Sequence, residues 1–536
     1  MFPLPQSTCN SPFDVAAYFL SRSSACASRE VATRLLMDYA RREINALLWV
    51  WLIVATCLLV DRVRKVLRLW ARARCIPGPP CSFFGHTKLS LPQDFIDFLS
   101  ILHDKYGPVF KLWSSPMQLL VSVNDPVLVK EILFMAEDKY PCTGRALRSV
   151  FGQSNLFFCP YEKARLMRGS LASEFNQNSD DKVNVLSDNV IEEKINSFIQ
   201  KGCTDCKSIS QHLAFSILGT KIFGHKFLNW SNASFYEDLL RVIVKDAPCW
   251  SSYRVTPFWK LRFWRYESLC GRLKFLTEDI ARQCRDTCSF LCSIDDESGC
   301  RNTKAGMKPT FGNESSGNIM GAMFHGCVAL ATLISSIMER LASDSGLQDK
   351  IYMEITSGMQ IGSNCDQDLK KLTLLLATVY ESARLLPSRS LLQRCSFRKD
   401  LILKNGVRIP AGAIIIVPVH LVQTEVSIWG SDARNFNPYR FLTASQDIAA
   451  TDPLHPGIAT EVNHQHLVLT EPTENASFLP FGSGVRACVA QKFVIHAVAS
   501  FFASMLARYE VQRTPEPLKP FSTSTSSEIL FVKRNI

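Results

Sequence analysis

The most chemically pointed feature of the sequence is a cysteine set behind a glycine-rich turn, Phe478-Leu479-Pro480-Phe481-Gly482-Ser483-Gly484-Val485-Arg486-Ala487-Cys488. Gly482 and Gly484 let the backbone turn tightly beneath the thiol. Arg486 adds a fixed positive charge two residues earlier, and the apolar run from Gln491 onward predicts a helix. A thiol at a helix entrance lies near the positive end of the helix dipole, which favours thiolate. A thiolate so placed is a candidate axial ligand for iron. Upstream, Glu381 and Arg384 stand three residues apart on a predicted helix, where they share a face and can pair. Read alone, that pair is an ordinary surface ion pair of little consequence.

Other thiols and imidazoles form weaker patterns. Cys284, Cys288 and Cys292 recur every fourth residue on one helix face. They lack the loop spacing and fourth partner of a structural metal site, so packing is the expected role. Cys203 and Cys206 have C-x-x-C spacing outside the βα setting of a redox motif. His464 and His466 fall in a polar, irregular stretch.

The cysteine loop resembles that of the cytochrome P-450 family, which carries Phe, Gly, Arg and Cys at offsets −7, −4, −2 and 0, here Phe481, Gly484, Arg486 and Cys488. One departure is Ala490, where the family usually has glycine. The resemblance extends to Glu381 and Arg384 as an E-x-x-R pair, joined by Arg440 from Phe436-Asn437-Pro438-Tyr439-Arg440-Phe441. It implies a structural Glu381–Arg384–Arg440 network and haem b (iron protoporphyrin IX) with Cys488 as the iron ligand. The family's W-x-x-x-R helix survives as Ala164 to Arg168, without the tryptophan. Arg168 and Arg486 are thereby the expected partners of the haem propionates, since guanidinium pairs well with carboxylate.

The distal helix departs further. The family's A-G-x-(D/E)-T motif brings an acid and an alcohol that relay protons to bound oxygen. The equivalent stretch is His325-Gly326-Cys327-Val328-Ala329, in which Val328 and Ala329 replace both relay groups. His325, Thr332 or a substrate hydroxyl with ordered water are alternative relays, and a packed helix histidine is the plainer reading of His325. Gly326 is expected to let substrate and haem approach the helix. The resemblance implies a monooxygenase that hydroxylates a lipophilic small molecule (sterol, terpenoid or fatty-acid-like), served by an NADPH-dependent cytochrome P-450 reductase. Reductase-independent rearrangement of an oxygenated or hydroperoxide substrate, and weak or absent catalysis on bound haem, are the alternatives.

These residues need elements to hold them. Residues 318–343 predict a long apolar helix, and a second helix ends at LLLATVYESARLLP, stopped by Pro387. FIDFLSILHDKYG is amphipathic, VFKLWSSPMQLLVSV reads as a two-strand hairpin, and AIIIVPVHLV as a β-branched strand. The expected fold is mainly α with a minor antiparallel β portion, which the resemblance identifies with the cytochrome P-450 fold over residues 81–536 as one haem domain.

Ahead of it, Ile44 to Val60 are seventeen consecutive uncharged, mostly apolar residues. As a helix they span about 25 Å, near the lower limit for crossing a bilayer core. Arg62, Arg64, Lys65, Arg68, Arg72 and Arg74 follow, which favours a cytosolic C-terminal side. The expected order is an N-terminal extension (1–43), a transmembrane anchor (44–60), a basic and Pro-rich linker (61–80) and the catalytic domain. With the resemblance, this places the protein on the endoplasmic reticulum as a single-pass membrane protein.

Composition agrees with an ordered chain: of 536 residues, 47% are hydrophobic and 20% charged, which excludes a disordered protein. The 19 scattered cysteines suit reduced thiols rather than a disulfide scaffold. The sequons at Asn229, Asn232, Asn313 and Asn475 would then stay unused. The net charge of +11 has no phosphate-cradling loop or nucleic-acid module to serve, so it is assigned to reductase docking and not to nucleic acid.

Overall fold

A computed structural model describes residues 12–81, 92–136, 156, 161–177, 188–200, 205–251, 257, 259–284, 313–359, 369–396, 399–444, 467–472, 477–514 and 528–534. Cys203, Cys288, Cys292, His464, His466 and Asn475 lie outside them. The chain divides into two units, Met1–Arg74 and Cys75–Ile536.

Among its described residues the first unit holds the helix α1 (Pro12–Ala73). From Met37 onward it is long and apolar enough to cross a membrane, and none of its most apolar stretch is buried. Thr56 returns its hydroxyl to the carbonyl of Leu52 at 2.7 Å, so the apolar run leaves no hydroxyl without a partner there. The helix does not break at Val60. It continues through the basic stretch to Ala73, where Asp61 and Lys65 pair one turn apart at 2.8 Å.

The second unit is mainly helical. Its helices are α2 (Pro92–Tyr106), α3 (Pro126–Met135), α4 (Tyr161–Gln177), α5 (Asp188–Gln200), α6 (Cys206–Phe223), α7 (Ala233–Ser251), α8 (Leu261–Cys284), α9 (Asn313–Ser343), α10 (Ser345–Met359), α11 (Thr373–Leu385), the short α12 (Val419–Gln423) and α13 (Val426–Trp429), and α14 (Gln491–Leu506). α9 also has the length and composition of a membrane span, but 61% of its apolar stretch is buried, which makes it the core helix. It packs along α6, whose start is fixed by Asp205 accepting from the backbone N–H of Lys207 and Ser208. Cys206 and Cys284 are buried in the same core, as packing thiols.

The hairpin forms as expected, β1 (Val109–Ser115) against β2 (Gln118–Val123), with Phe110 opposite Ser122. It belongs to a four-stranded sheet completed by β3 (Leu391–Cys395) and β6 (Ile414–Pro418), in the order β1-β2-β6-β3. Two-stranded antiparallel ladders join β4 (Leu401–Ile402) to β5 (Arg408–Ile409), β7 (Leu442–Ala444) to β8 (Leu467–Leu469) and β9 (Tyr509–Arg513) to β10 (Ile529–Lys533). Among the described residues the strand pairs are antiparallel except β2–β6, which is parallel. The apolar run AIIIVPVHLV is a strand only as far as Pro418; Val419–Gln423 turns into α12. Pro418 has no N–H to extend the ladder, and the turn carries Gln423 into the core. The proline run meets this sheet too: the N–H of Lys111 donates to the Pro77 carbonyl at 2.8 Å.

Candidate functional site

The cysteine loop is built by its own backbone. Gly482 N–H donates to Leu479, Ala487 to Gly484 and Cys488 to Phe481, at 3.0, 2.9 and 2.7 Å. Residues Gly484–Arg486 form one 3₁₀ turn, and α14 starts three residues after the cysteine. Gly484 has φ +71°, and a Cβ there would stand 2.3 Å from the carbonyl oxygen of Leu133 at the end of α3. Only glycine satisfies both the left-handed backbone and that close approach. From α4, the Arg168 guanidinium donates to the Ala487 carbonyl and so reaches the residue beside the cysteine.

Cys488 is exposed, yet enough protein surrounds it that burial raises its thiol pKa above the ordinary value. The N–H of Ala490 and the charge of Arg168 pull the other way and do not overcome burial. The helix entrance thus acts in the expected direction, and burial outweighs it. A metal bound to the sulfur deprotonates such a thiol, and the protein supplies position rather than acidity.

Beside the loop, cations gather. Arg394 on β3 is only 3% exposed, and its pKa is pushed down to about 10, chiefly by burial and then by Arg486, Arg168 and Arg389. Holding like charges this close is costly unless an anion joins them. The chemistry of the donors therefore fits a flat ligand with an accessible metal and carboxylates on its rim: a sulfur ligand, a glycine turn beneath it, and guanidinium groups at one side. Arg168 and Arg486, expected from sequence, belong to this group, and Arg394, not expected, joins them; Arg389 is bonded instead to His325.

Glu381, Arg384 and Arg440 come together. Glu381 and Arg384 are both fully buried on α11. The Glu381 carboxylate accepts from Arg384 Nε and Nη2 at 2.7 and 2.8 Å, from Arg440 Nε at 3.1 Å and from the Asn437 N–H at 2.9 Å. Arg384 Nη1 donates to the carbonyls of Gln423 and Ala433, and its guanidinium lies over the Trp429 ring with 4.9 Å to the centroid. Arg440 also pairs with Asp432 at 2.9 Å. Gln423, fully buried, gives its amide to the Arg384 carbonyl at 2.6 Å and accepts from the Leu479 N–H at 3.0 Å. It ties the ion network to the segment that becomes the cysteine loop, and no spacing in the sequence marks it.

On α9, His325, Val328, Ala329 and Thr332 are partly or fully exposed while Cys327, Leu330 and Ala331 between them are buried. Their spacing of three and four puts them on one helix face, so a core helix opens onto accessible space for two turns. Val328 is 38% exposed there, and neither it nor Ala329 carries a proton-relay group. Thr332 donates its hydroxyl to the Val328 carbonyl at 2.9 Å. His325 Nδ1 accepts from Arg389 at 3.1 Å. A Cβ at Gly326 would meet Leu218 of α6 at 2.5 Å, so the missing side chain admits the neighbouring helix.

A helical body, an accessible cysteine on a glycine-shaped loop and a buried Glu–Arg–Arg network define a haem-thiolate protein. Residues 76–536 match the Cytochrome P450 family, and the chain belongs to it. It is 22% identical over 459 residues to a tabersonine/lochnericine 19-hydroxylase of Catharanthus roseus, covering 77% of this chain and 82% of that protein. It is 23% identical to human cytochrome P450 4X1 over 491 residues, 85% of this chain and 88% of the relative. A rice relative, cytochrome P450 714B1 (Oryza sativa subsp. japonica), is 27% identical over 204 residues, 37% of this chain and 33% of that protein. The chain is thus an enzyme of the cytochrome P450 monooxygenase family, which binds haem through a thiolate and works with redox partners on lipophilic substrates.

Proposed function

We propose that the protein is a membrane-anchored monooxygenase that hydroxylates a sterol, terpenoid or fatty-acid-like molecule, with Cys488 as the iron ligand. The observation that carries this reading is the Cys488 loop: an accessible sulfur backed by Gly484 on the Leu133 carbonyl, with Arg168 bonded to Ala487. Arg168 and Arg486 hold the haem carboxylates, Phe481 and Gly484 shape the loop, and Glu381, Arg384 and Arg440 fix the core behind it. Haem held by a cysteine thiolate supplies oxygen-bond cleavage, because the sulfur pushes electron density onto the iron. His325 is a polar group on the open face of α9; accepting from Arg389 at Nδ1, it carries its hydrogen on Nε2. Residues 44–60 anchor the body to the endoplasmic reticulum membrane, the basic stretch beyond them faces the cytosol, and an NADPH-dependent cytochrome P-450 reductase supplies electrons.

One observation favours a second reading. With Val328 and Ala329 on the open face, the helix lacks an acid–alcohol relay, which suits rearrangement of an oxygenated or hydroperoxide substrate without a reductase. Two measurements separate the readings. Cys488→Ala is expected to abolish the thiolate carbon monoxide difference band; an unchanged band refutes the ligand assignment. Substrate-dependent NADPH consumption with reductase supports hydroxylation, whereas hydroperoxide consumed without NADPH supports rearrangement.

A further inference from the structure

Arg389 stands apart from the other three arginines. Arg168 and Arg486 belong to the cysteine loop or touch it, and Arg394 is buried in β3. Arg389, between α11 and β3, is exposed and bonded instead to His325 on the open face of α9. Desolvation by the protein packed around it lowers its pKa. The rest of that open face is Val328, Ala329 and Thr332, and the Thr332 hydroxyl is turned back on its own helix. A guanidinium set against apolar surface is costly unless an anion answers it, and its planar donor fork matches a carboxylate. Arg389 can only donate to His325, which fixes the imidazole as acceptor at Nδ1 and N–H at Nε2. Arg389, held by His325, thus presents donors and one net positive charge beside an apolar surface.

We infer that Arg389, oriented by His325, is an anion-binding subsite that takes the carboxylate of an amphipathic acid substrate, whose apolar chain lies along Val328 and Ala329. This deepens the monooxygenase reading and rests on it for the position of the site. It selects, within the lipophilic class, molecules with an ionised carboxyl group over their neutral counterparts. A carboxylate on the haem rim is the other source of the same chemistry, and the test distinguishes the two.

The full-length holoenzyme and its Arg389→Gln variant are titrated in one detergent with decanoic acid, methyl decanoate and decanol, following the Soret band. The same samples are measured by equilibrium dialysis with labelled acid and ester, which needs no spectral response. The wild type is expected to prefer the acid by about tenfold or more, the scale of a charge-assisted pair. Arg389→Gln removes the preference while haem content and the carbon monoxide band stay as in the wild type, and His325→Phe weakens it. Equal affinity for acid and ester, a preference that survives Arg389→Gln, or no acid binding overturns the inference. So does loss of haem in Arg389→Gln with a preference still measurable by dialysis, because Arg389 would then serve the haem rim. A wild type that prefers acid by dialysis yet shows no thiolate band would leave the subsite standing and refute the haem assignment.

Discussion

At the scale of single residues, the strongest energetic commitment is the carboxylate of Glu381. It accepts four hydrogen bonds while fully buried, and two come from a guanidinium that is itself out of reach of water. Glu381→Ala leaves Arg384 charged in the core with only carbonyls around it. Removing one partner of a buried pair costs about 3–5 kcal/mol, a large part of a typical domain's stability. The variant is expected to show a sharply lower urea midpoint and poor haem retention. A loss under about 1 kcal/mol, the level of exposed pairs, would contradict the burial seen here. Cys488, Glu381 and Arg384 were legible because their chemistry demands fixed types at short spacing. Gln423, Leu133 and Arg389 were not, because each acts on a segment tens or hundreds of residues away. Gly326 shows the converse: its type was legible and its neighbour, Leu218, was not.

At the scale of elements, the helices and the hairpin followed from periodicity, since α9, α11 and β1–β2 keep one pattern throughout. The parallel β2–β6 pairing joins residues near 121 to residues near 415, and an apolar run says nothing about its partner or direction. The turn into α12 was hidden for a similar reason, because VHLV is apolar in either conformation. One contact between elements carries a pH prediction. His103 on α2 donates from Nδ1 to the Gly107 carbonyl at 3.0 Å and accepts at Nε2 from the Ser122 hydroxyl of β2 at 2.9 Å. Burial lowers its pKa from 6.5 to about 4. The unfolded chain therefore binds a proton between these values while the folded one does not, so stability is held above pH 6.5 and falls as pH drops toward 4. The size is about 3 kcal/mol over the whole window. Urea midpoints of wild type and His103→Gln should converge as pH falls through it. Parallel pH profiles would show that His103 does not titrate this way.

At the scale of the whole molecule, the two units answer to different solvents. The body from residue 76 onward carries the family match and buries its own long apolar helix. The first unit buries none of its most apolar stretch: Leu47 is 67% exposed and Trp51 76%. A run of that size in water is unfavourable, and roughly 25 cal/mol per Å² of apolar surface is recovered by moving it into lipid. Continuation of α1 beyond Val60 places Arg62, Arg64, Lys65 and Arg68 on the same helix, where they can reach lipid headgroups. Apolar insertion and basic attraction predict different chemistry. A helix inserted in lipid resists alkaline carbonate and salt, whereas a basic surface contact is screened within a Debye length of about 8 Å at physiological salt. The full-length protein is expected to stay in the membrane pellet through both washes, and deletion of residues 1–74 to release nearly all of it. Release of the full-length protein by salt alone would mean that its arginines, and not Ile44 to Val60, hold it at the membrane.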